Sequence, residues 1–469
     1  MLGVRGTGYP ADRYARQQRA YQREQGALRG FAGRSLAGSP VPSRPARHAT
    51  LCLPRRAAAT DRAESTAEAG TVTRKQERKR RFGAGVLALL AALGCLWAAS
   101  AGGAALWWLA GVAAALILMH KAMIGPPGVA VLTYHSVSPD PGWLPWSQET
   151  AVSPETFAAH CSMIGAPGLL AITSDELVRM RAAGERPRGD EIVLHFDDGY
   201  LDNWLYAAPI LERHGIPASF FVSLDFVEPG ALIRTAPDAR DVSGYMNWAE
   251  IAAMQKVRGL EIEPHGVDHA RIPVSERAID RLTEANWRKH AWLQWHGTSG
   301  PKHDWYRSDA PPAVPIGSPV PESGLALAVR GWVNGRREDV SELEERLREQ
   351  LTLCQTVFAQ RLGMMPRIFC WPENKVGAEG RRIARELGFA ATTGGKGRNR
   401  ADEPVDVISR LHMGDRALGF RWLAAERLHF RAAVRLAQGN HYYYALIAPM
   451  NLCRKLVFAW RKRFGKPFA

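Results

Sequence analysis

The sequence predicts an α/β domain on a parallel sheet, open or closed into a barrel, over residues 128–420. Two observations carry this. From Gly128 onward, short apolar runs alternate with helical stretches, the pattern of successive βα units. Several of those runs end on aspartate or histidine, and parallel folds collect their chemistry at the carboxyl ends of strands.

The chain opens on a basic stretch. Residues 1–81 hold 18 Lys/Arg against 6 Asp/Glu with no sustained apolar period, which predicts a disordered tail. Residues 421–469 hold 10 against 1, in a pattern that predicts basic amphipathic helices. Of the formal charge of +15, the two ends carry +12 and +9, leaving −6 between them. Basic ends around a mildly acidic middle fit a membrane surface better than nucleic acid, so no nucleic-acid partner is expected. Cys52, Cys95, Cys161, Cys354, Cys370 and Cys453 form no CxxC pair. Neither a disulfide framework nor a thiolate metal site follows from them.

Phe82 to Met119 contains no charged residue. One helix of that length would span about 57 Å, well beyond the ~30 Å hydrocarbon core. Ser100, Ala101, Gly102 and Gly103 interrupt the run. The segment 82–121 is therefore read as two membrane helices, 83–99 and 104–120, joined by a tight turn. The cluster Arg74, Lys75, Arg78, Lys79, Arg80 and Arg81 precedes the first, which places the tail in the cytoplasm of a bacterial inner membrane. Two crossings return the chain there. A single tilted crossing, with the remainder in the periplasm, is the alternative.

Within the domain, "VAVLTYH" is a strand ending at His135 and "EIVLHF" a second, leading into Asp197, Asp198 and Gly199. A helix follows over 202–214. "GIPASFFVS" gives a loop and strand, "NWAEIAAMQKV" a helix, and "GLEIEPH" a strand ending at His265. The excursion 286–340, with Trp287, Trp292, Trp295, Trp305 and a proline-rich stretch, breaks the rhythm and reads as an insertion or lid. A long amphipathic helix then stops at Gly363. "RIFCW" is a strand, "EGRRIARELG" a helix, "FAATTG" a strand and "VDVISRLH" a final strand.

Two adjacent acids at a strand end repel unless something positive joins them. If the strands ending at Asp197–Asp198 and His265 are parallel neighbours, His269 also comes within reach. One carboxylate and two neutral imidazoles make a divalent-metal site with open positions. The other carboxylate is then placed to take a proton from water acidified by the ion.

These residues carry a resemblance. "HFDDGY", "HGVDH", "FCWPENKVG", "LTYHSV" and "VISRLH" resemble successive motifs of the polysaccharide deacetylases, the NodB-homology carbohydrate esterases. The resemblance covers about 128–420 apart from the insertion. It implies a distorted, incomplete (β/α) barrel of about seven strands. It also implies metal-dependent removal of N-acetyl groups from sugars, with zinc the usual ion. Asp198, His265 and His269 would be the ligands and Asp197 the base. His412 would be the general acid, and Arg410 would pair with Asp197. His135, Trp371 and Pro372 would line the pocket or support it, with a backbone N–H near Trp371 sharing the developing oxyanion charge. Gly266 departs from the usual Ser/Thr of the second motif, so a supporting hydrogen bond is missing. "HDWY" at 303–306 lies on the wrong side to supply His412 with an Asp–Trp partner.

The hairpin and the aromatic–basic C-terminal stretch direct the expected substrate to the membrane. It is an N-acylated sugar linked to polyprenyl phosphate or a nucleotide, met among membrane lipids on the cytoplasmic side during envelope glycan synthesis. The alternatives are deacetylation of an exported polysaccharide or peptidoglycan, and a non-catalytic sugar-binding scaffold.

Overall fold

The computed structural model describes residues 73–101, 105–235, 241–293, 301–307 and 314–464. The predicted disordered tail lies outside the described residues up to Val72. Its expected end at Arg81 moves, because residues 74–81 form the first two turns of helix α1, Arg74–Ser100. Thr73 and Gln76 close a capping box there, which satisfies N-terminal amides that would otherwise lack partners. Glu77 pairs with Arg81, Arg398 and Arg400. Charge read as solvated in the sequence is thus spent on docking the helix.

Helix α2, Ala105–Met123, runs back along α1. A Cβ on Gly85 would meet Met123, and one on Gly111 would meet Cys95, so the pair is antiparallel and close-packed at small residues. Both helices are long and apolar enough to cross a membrane. Arg81 joins the two feet by donating to the carbonyls of Ala122 and Ile124. Both feet are tied to the domain: the Arg74 amide donates to the Lys396 carbonyl, and the Gly125 amide to that of Gly439.

The domain is α/β with parallel strands. β1 (Ala130–Tyr134), β2 (Glu191–Phe196), β3 (Ala218–Val222) and β4 (Leu260–Pro264) lie side by side. A second sheet holds β5 (Ile368–Phe369), β6 (Ala391–Gly395) and β7 (Val407–Ser409). β8 (Leu411–His412) returns to pair with β1. The stretch predicted as one strand over "VDVISRLH" therefore breaks at Arg410, where the chain leaves one sheet for the other. At the opposite seam, the Cys370 amide donates to the Pro264 carbonyl.

Side chains alternate across these strands. Leu132, Leu194, Phe220 and Ile262 face one way, under the helices Pro154–Ile164, Ala208–His214 and Trp248–Gln255. Val131, Val193, Phe221, Ile368, Ala391 and Ile408 face the other way and form one cluster drawn from both sheets. Phe196 stacks on Phe220 with centroids 4.6 Å apart and on Tyr134 at 5.4 Å. Such aromatic pairs contribute about 0.5–1.5 kcal/mol each beyond their buried area.

Because the strands are parallel, β1, β2, β4 and β8 all deliver their carboxyl ends to one edge. His135, Asp197, His265 and His412 sit at those ends.

The excursion expected at 286–340 begins earlier. Arg271–Arg281 pairs antiparallel with Pro319–Leu325, starting two residues after His269. Most of the first strand is exposed, so it lacks the apolar alternation that marks a strand in sequence. Residues 294–300, including Trp295, and 308–313 lie outside the described residues. α3, Val340–Leu362, follows the excursion and ends on left-handed Gly363, as predicted. The C-terminal stretch forms α4, Leu423–Ala437, and α5, Tyr444–Phe464.

Candidate active site

The turn after β2 is built to point two acids at one place. The Asp197 amide donates to the Tyr134 carbonyl at 3.0 Å, keeping this residue in register with β1. Asp198 and Gly199 then both adopt left-handed backbone, φ 75° and 74°. A Cβ on Gly199 would lie 3.2 Å from Val222 Cγ1, so glycine is needed there for space as well as conformation. The buried Asp202 locks this turn to the one after β1, accepting from the Ser136 hydroxyl at 2.5 Å and the Val137 amide at 3.0 Å. Asn203 donates to the His135 carbonyl at 2.7 Å.

His265 enters from β4. It is almost completely buried, and its Nδ1 donates to the Cys370 carbonyl at 2.9 Å. That bond fixes the tautomer and leaves Nε2 free as a ligand. Nε2 lies 3.4 Å from Asp198 Oδ1, and His269 Nε2 lies 3.9 Å from the same oxygen. One donor atom from each of the three residues falls within 4.8 Å of the other two. The expected ligand residues are thus brought together.

The electrostatics fit a cation. Burial opposes charge on Asp198, yet the bond to His265 and the neighbouring histidines hold its carboxyl well below the usual range. Burial also opposes charge on His265, but Cys370, Asp197 and Asp198 raise its pKa well above an ordinary imidazole. The surroundings favour positive charge at the point where the three donors meet. Burial lowers the pKa of His269, which keeps it neutral as a ligand must be.

Asp197 stands beside this trio. Its Oδ1 accepts from Arg410 Nη1 at 2.6 Å, and its Oδ2 lies 3.8 Å from His135 Nε2. Burial alone would raise its pKa, but Arg410, followed by His265 and His135, holds it well below the usual carboxylate range. Arg410 is buried, and its Nε is held by Asn374 Oδ1 at 3.0 Å. The break between β7 and β8 places that guanidinium where an unbroken strand would not.

Three expected positions sit differently. Trp371 and Pro372 are buried, and the Trp371 amide already donates to Thr393 Oγ1 at 3.0 Å, so it is not free for an oxyanion. They are core beneath the site. His412 is exposed and donates Nε2–H to the Glu149 carbonyl at 2.5 Å. Its ring packs edge-on to His135, with centroids 5.2 Å apart. Although the ring reaches solvent, desolvation by the protein around it, then repulsion from His135, lowers its pKa to about 4. His135, not His412, faces the cavity.

That cavity, of about 490 Å³, is walled by His135, Asp198, His265 and His269 on one side and by Trp146, Tyr200 and Tyr245 on another. Trp146 stacks on Trp305 at 5.5 Å, and Trp305 Nε1 donates to the Tyr245 hydroxyl at 3.0 Å. "HDWY" therefore supports an aromatic wall instead of partnering His412. Lys289, His290 and Trp292 of the excursion also line it.

Residues 184–308 match the family model for polysaccharide deacetylase, a span that contains Asp197, Asp198, His265 and His269. This part of the chain is similar to the polysaccharide deacetylases. YxkH of Bacillus subtilis (strain 168), by name a polysaccharide deacetylase, is 26% identical over 149 residues, covering 31% of this chain. The chain spans only 45% of that relative's length. Among solved structures, a de-N-acetylase from Aggregatibacter actinomycetemcomitans is 19% identical, with 60% of this chain and 94% of that one covered and a TM-score of 0.42. IcaB from Ammonifex degensii is 18% identical, with coverage of 66% and 97% and a TM-score of 0.43.

In this domain, sequence reasoning missed Tyr200, Tyr245 and Trp146, since aromatic residues in loops carry no periodic signal. It missed Asn374 too, although that residue lies within the quoted "FCWPENKVG". Gly266 has its own reason. It sits at φ 86°, and a Cβ there would touch nothing closer than 3.5 Å. The family's Ser/Thr would fit the space but not the backbone. Gly266→Ser is expected to cost about 1–2 kcal/mol, the price of left-handed backbone, and to add no activity. Denaturant titration checks the first part; a stabilised variant would contradict it.

Proposed function

We propose that the chain is a divalent-metal-dependent N-deacetylase at the cytoplasmic face of a bacterial inner membrane. Its substrate is an N-acylated sugar linked to polyprenyl phosphate or a nucleotide. One observation carries the reading: the donors of Asp198, His265 and His269 converge beside Asp197 on the wall of a single cavity.

The strands are read as the distorted, incomplete (β/α) barrel of the family. The Cys370–Pro264 bond and the passage from β7 to β8 support this, since they link the two sheets at both seams. The hairpin is read as two crossings. Both its feet contact the domain, through Arg74 and Gly125, which supports placing them on one side.

Asp198, His265 and His269 would hold the ion, with zinc suited to a three-ligand oxygen–nitrogen set. A divalent cation there supplies Lewis acidity, acidifying water and polarising a carbonyl oxygen. Asp197, kept ionised by Arg410, takes the proton from the attacking water. His135, with His412 packed against it, returns a proton to the leaving amine. Trp146, Tyr200 and Tyr245 offer apolar faces to the sugar ring.

The test is acetate release by the purified full chain from nucleotide-linked and polyprenyl-linked N-acetyl sugars, with and without chelator. Chelator-sensitive release supports the proposal. Release from an exported polymer alone would favour the periplasmic alternative, and metal binding without release would leave a sugar-binding scaffold.

Arg410 acts through Asp197. Arg410→Gln should lower kcat/KM by about 10–100-fold, the usual cost of losing a supporting partner. With the guanidinium gone, burial raises the Asp197 pKa, so activity should fall at a higher pH on the acid side. A pH–rate profile unchanged in shape would contradict the positioning role.

A further inference from the structure

A second cavity, of about 210 Å³, lies between the foot of α1, β8 and helices α4 and α5. Arg74, Arg78, Arg398 and Arg454 line it with His412 and Asn451. None of the described lining residues is acidic. Arg398 is 2% exposed. Its Nη2 is bound to Glu77 Oε1 at 3.0 Å and the Pro126 carbonyl at 3.2 Å. Its Nε and Nη1 are buried with no hydrogen-bond partner among the described residues, and so is Arg78 Nε. Two acids stand near these arginines: Glu77 is shared among Arg81, Arg398 and Arg400, and Glu403 accepts from the Arg398 amide and pairs with Arg400.

Buried guanidinium nitrogens without acceptors are costly, and several converging ones match the oxygens of a phosphate. Burial lowers the pKa of Arg398 and of Arg74, as expected where cationic charge is under-compensated.

The surroundings indicate where the anion comes from. Arg74 and Arg78 stand just before the apolar run that begins at Phe82. Tyr444, which opens α5, packs edge-on to Phe82 at 5.0 Å and lies 4.6 Å under the Arg78 guanidinium. Along α5, Leu452, Leu456, Trp460 and Phe464 are exposed at four-residue spacing. That spacing puts them on one face of the helix. An exposed apolar face beside the foot of an apolar hairpin is the arrangement of an interfacial helix.

We propose that this cavity binds the phosphate of a membrane lipid headgroup, held by Arg78, Arg398 and Arg454 where α1 and α5 meet at the bilayer surface. The site does not depend on the deacetylase reading, because none of its arginines touches the catalytic cavity.

The experiment uses the full chain in neutral detergent and measures binding and thermal unfolding with three probes: short-chain phosphatidate, short-chain phosphatidylcholine and inorganic phosphate. Phosphatidate should bind and raise Tm at concentrations where phosphatidylcholine does neither. Arg454→Gln and Arg78→Gln should each weaken phosphatidate binding at least tenfold. Arg398→Gln should do the same where it folds. Arg463→Gln, at the exposed end of α5, should change affinity less than twofold. Inorganic phosphate binding as tightly as phosphatidate, with the same arginine dependence, would support the anion site and overturn the lipid source. Failure of both anions to bind, or an Arg463→Gln loss equal to that of Arg454→Gln, would overturn the site.

Discussion

Asp197→Asn is expected to lower kcat by about 10²–10⁴-fold, the range for loss of a general base, while the ion stays bound. The proposed ligands are Asp198, His265 and His269, none of which is altered. The amide keeps the shape of the carboxylate and one acceptor for Arg410, which lies 2.6 Å away. It cannot take a proton. A complication follows from burial: Arg410 loses its counter-charge in a buried place, and breaking a buried pair costs about 3–5 kcal/mol. Stability and activity must therefore be read separately. The double variant Asp197→Asn, Arg410→Gln should recover part of the stability and none of the rate. Metal content by elemental analysis, with acetate release on the same sample, checks this. Full activity of Asp197→Asn would remove the base assignment.

His265→Ala is expected to lose both the ion and turnover. His265 is the most buried of the three proposed ligand residues, and its second nitrogen is anchored to the Cys370 carbonyl. Removing it takes a ligand and leaves that carbonyl without its donor. His269→Ala should be milder in stability, since His269 is partly exposed, while activity falls to background in both. A His265→Ala protein that keeps a tightly bound ion and normal turnover would contradict the ligand set.

The residues of the candidate site were readable because motif and strand end coincide. "EIVLHFDDG" and "GLEIEPH" each show a short apolar run ending on a ligand type; the two strands are not the expected neighbours, since β3 lies between them, but all three run parallel and bring both ends to one edge. What escaped was set by contacts distant in sequence. Arg410 interrupts "VISRLH" because its strand changes partner, a fact of pairing that no local pattern records. Trp371 looked like a site residue from its motif, but Phe369 packs on it at 4.6 Å and Thr393 takes its amide. The basic cluster 74–81 read as tail because its partners, Lys396, Arg398 and Arg400 among them, lie more than 300 residues away. The arm beginning at Arg271 was invisible for the opposite reason: an exposed strand buries little and shows no period.

The most direct measurement is anomalous diffraction from crystals of the full chain grown with zinc, comparing native protein with Asp198→Ala. A single strong anomalous peak within coordination distance of one oxygen of Asp198 and one nitrogen each of His265 and His269, lost in the variant, is the expected result. A peak elsewhere, or none between those three side chains at saturating zinc, would contradict the claim that this edge of the sheet is a metal centre.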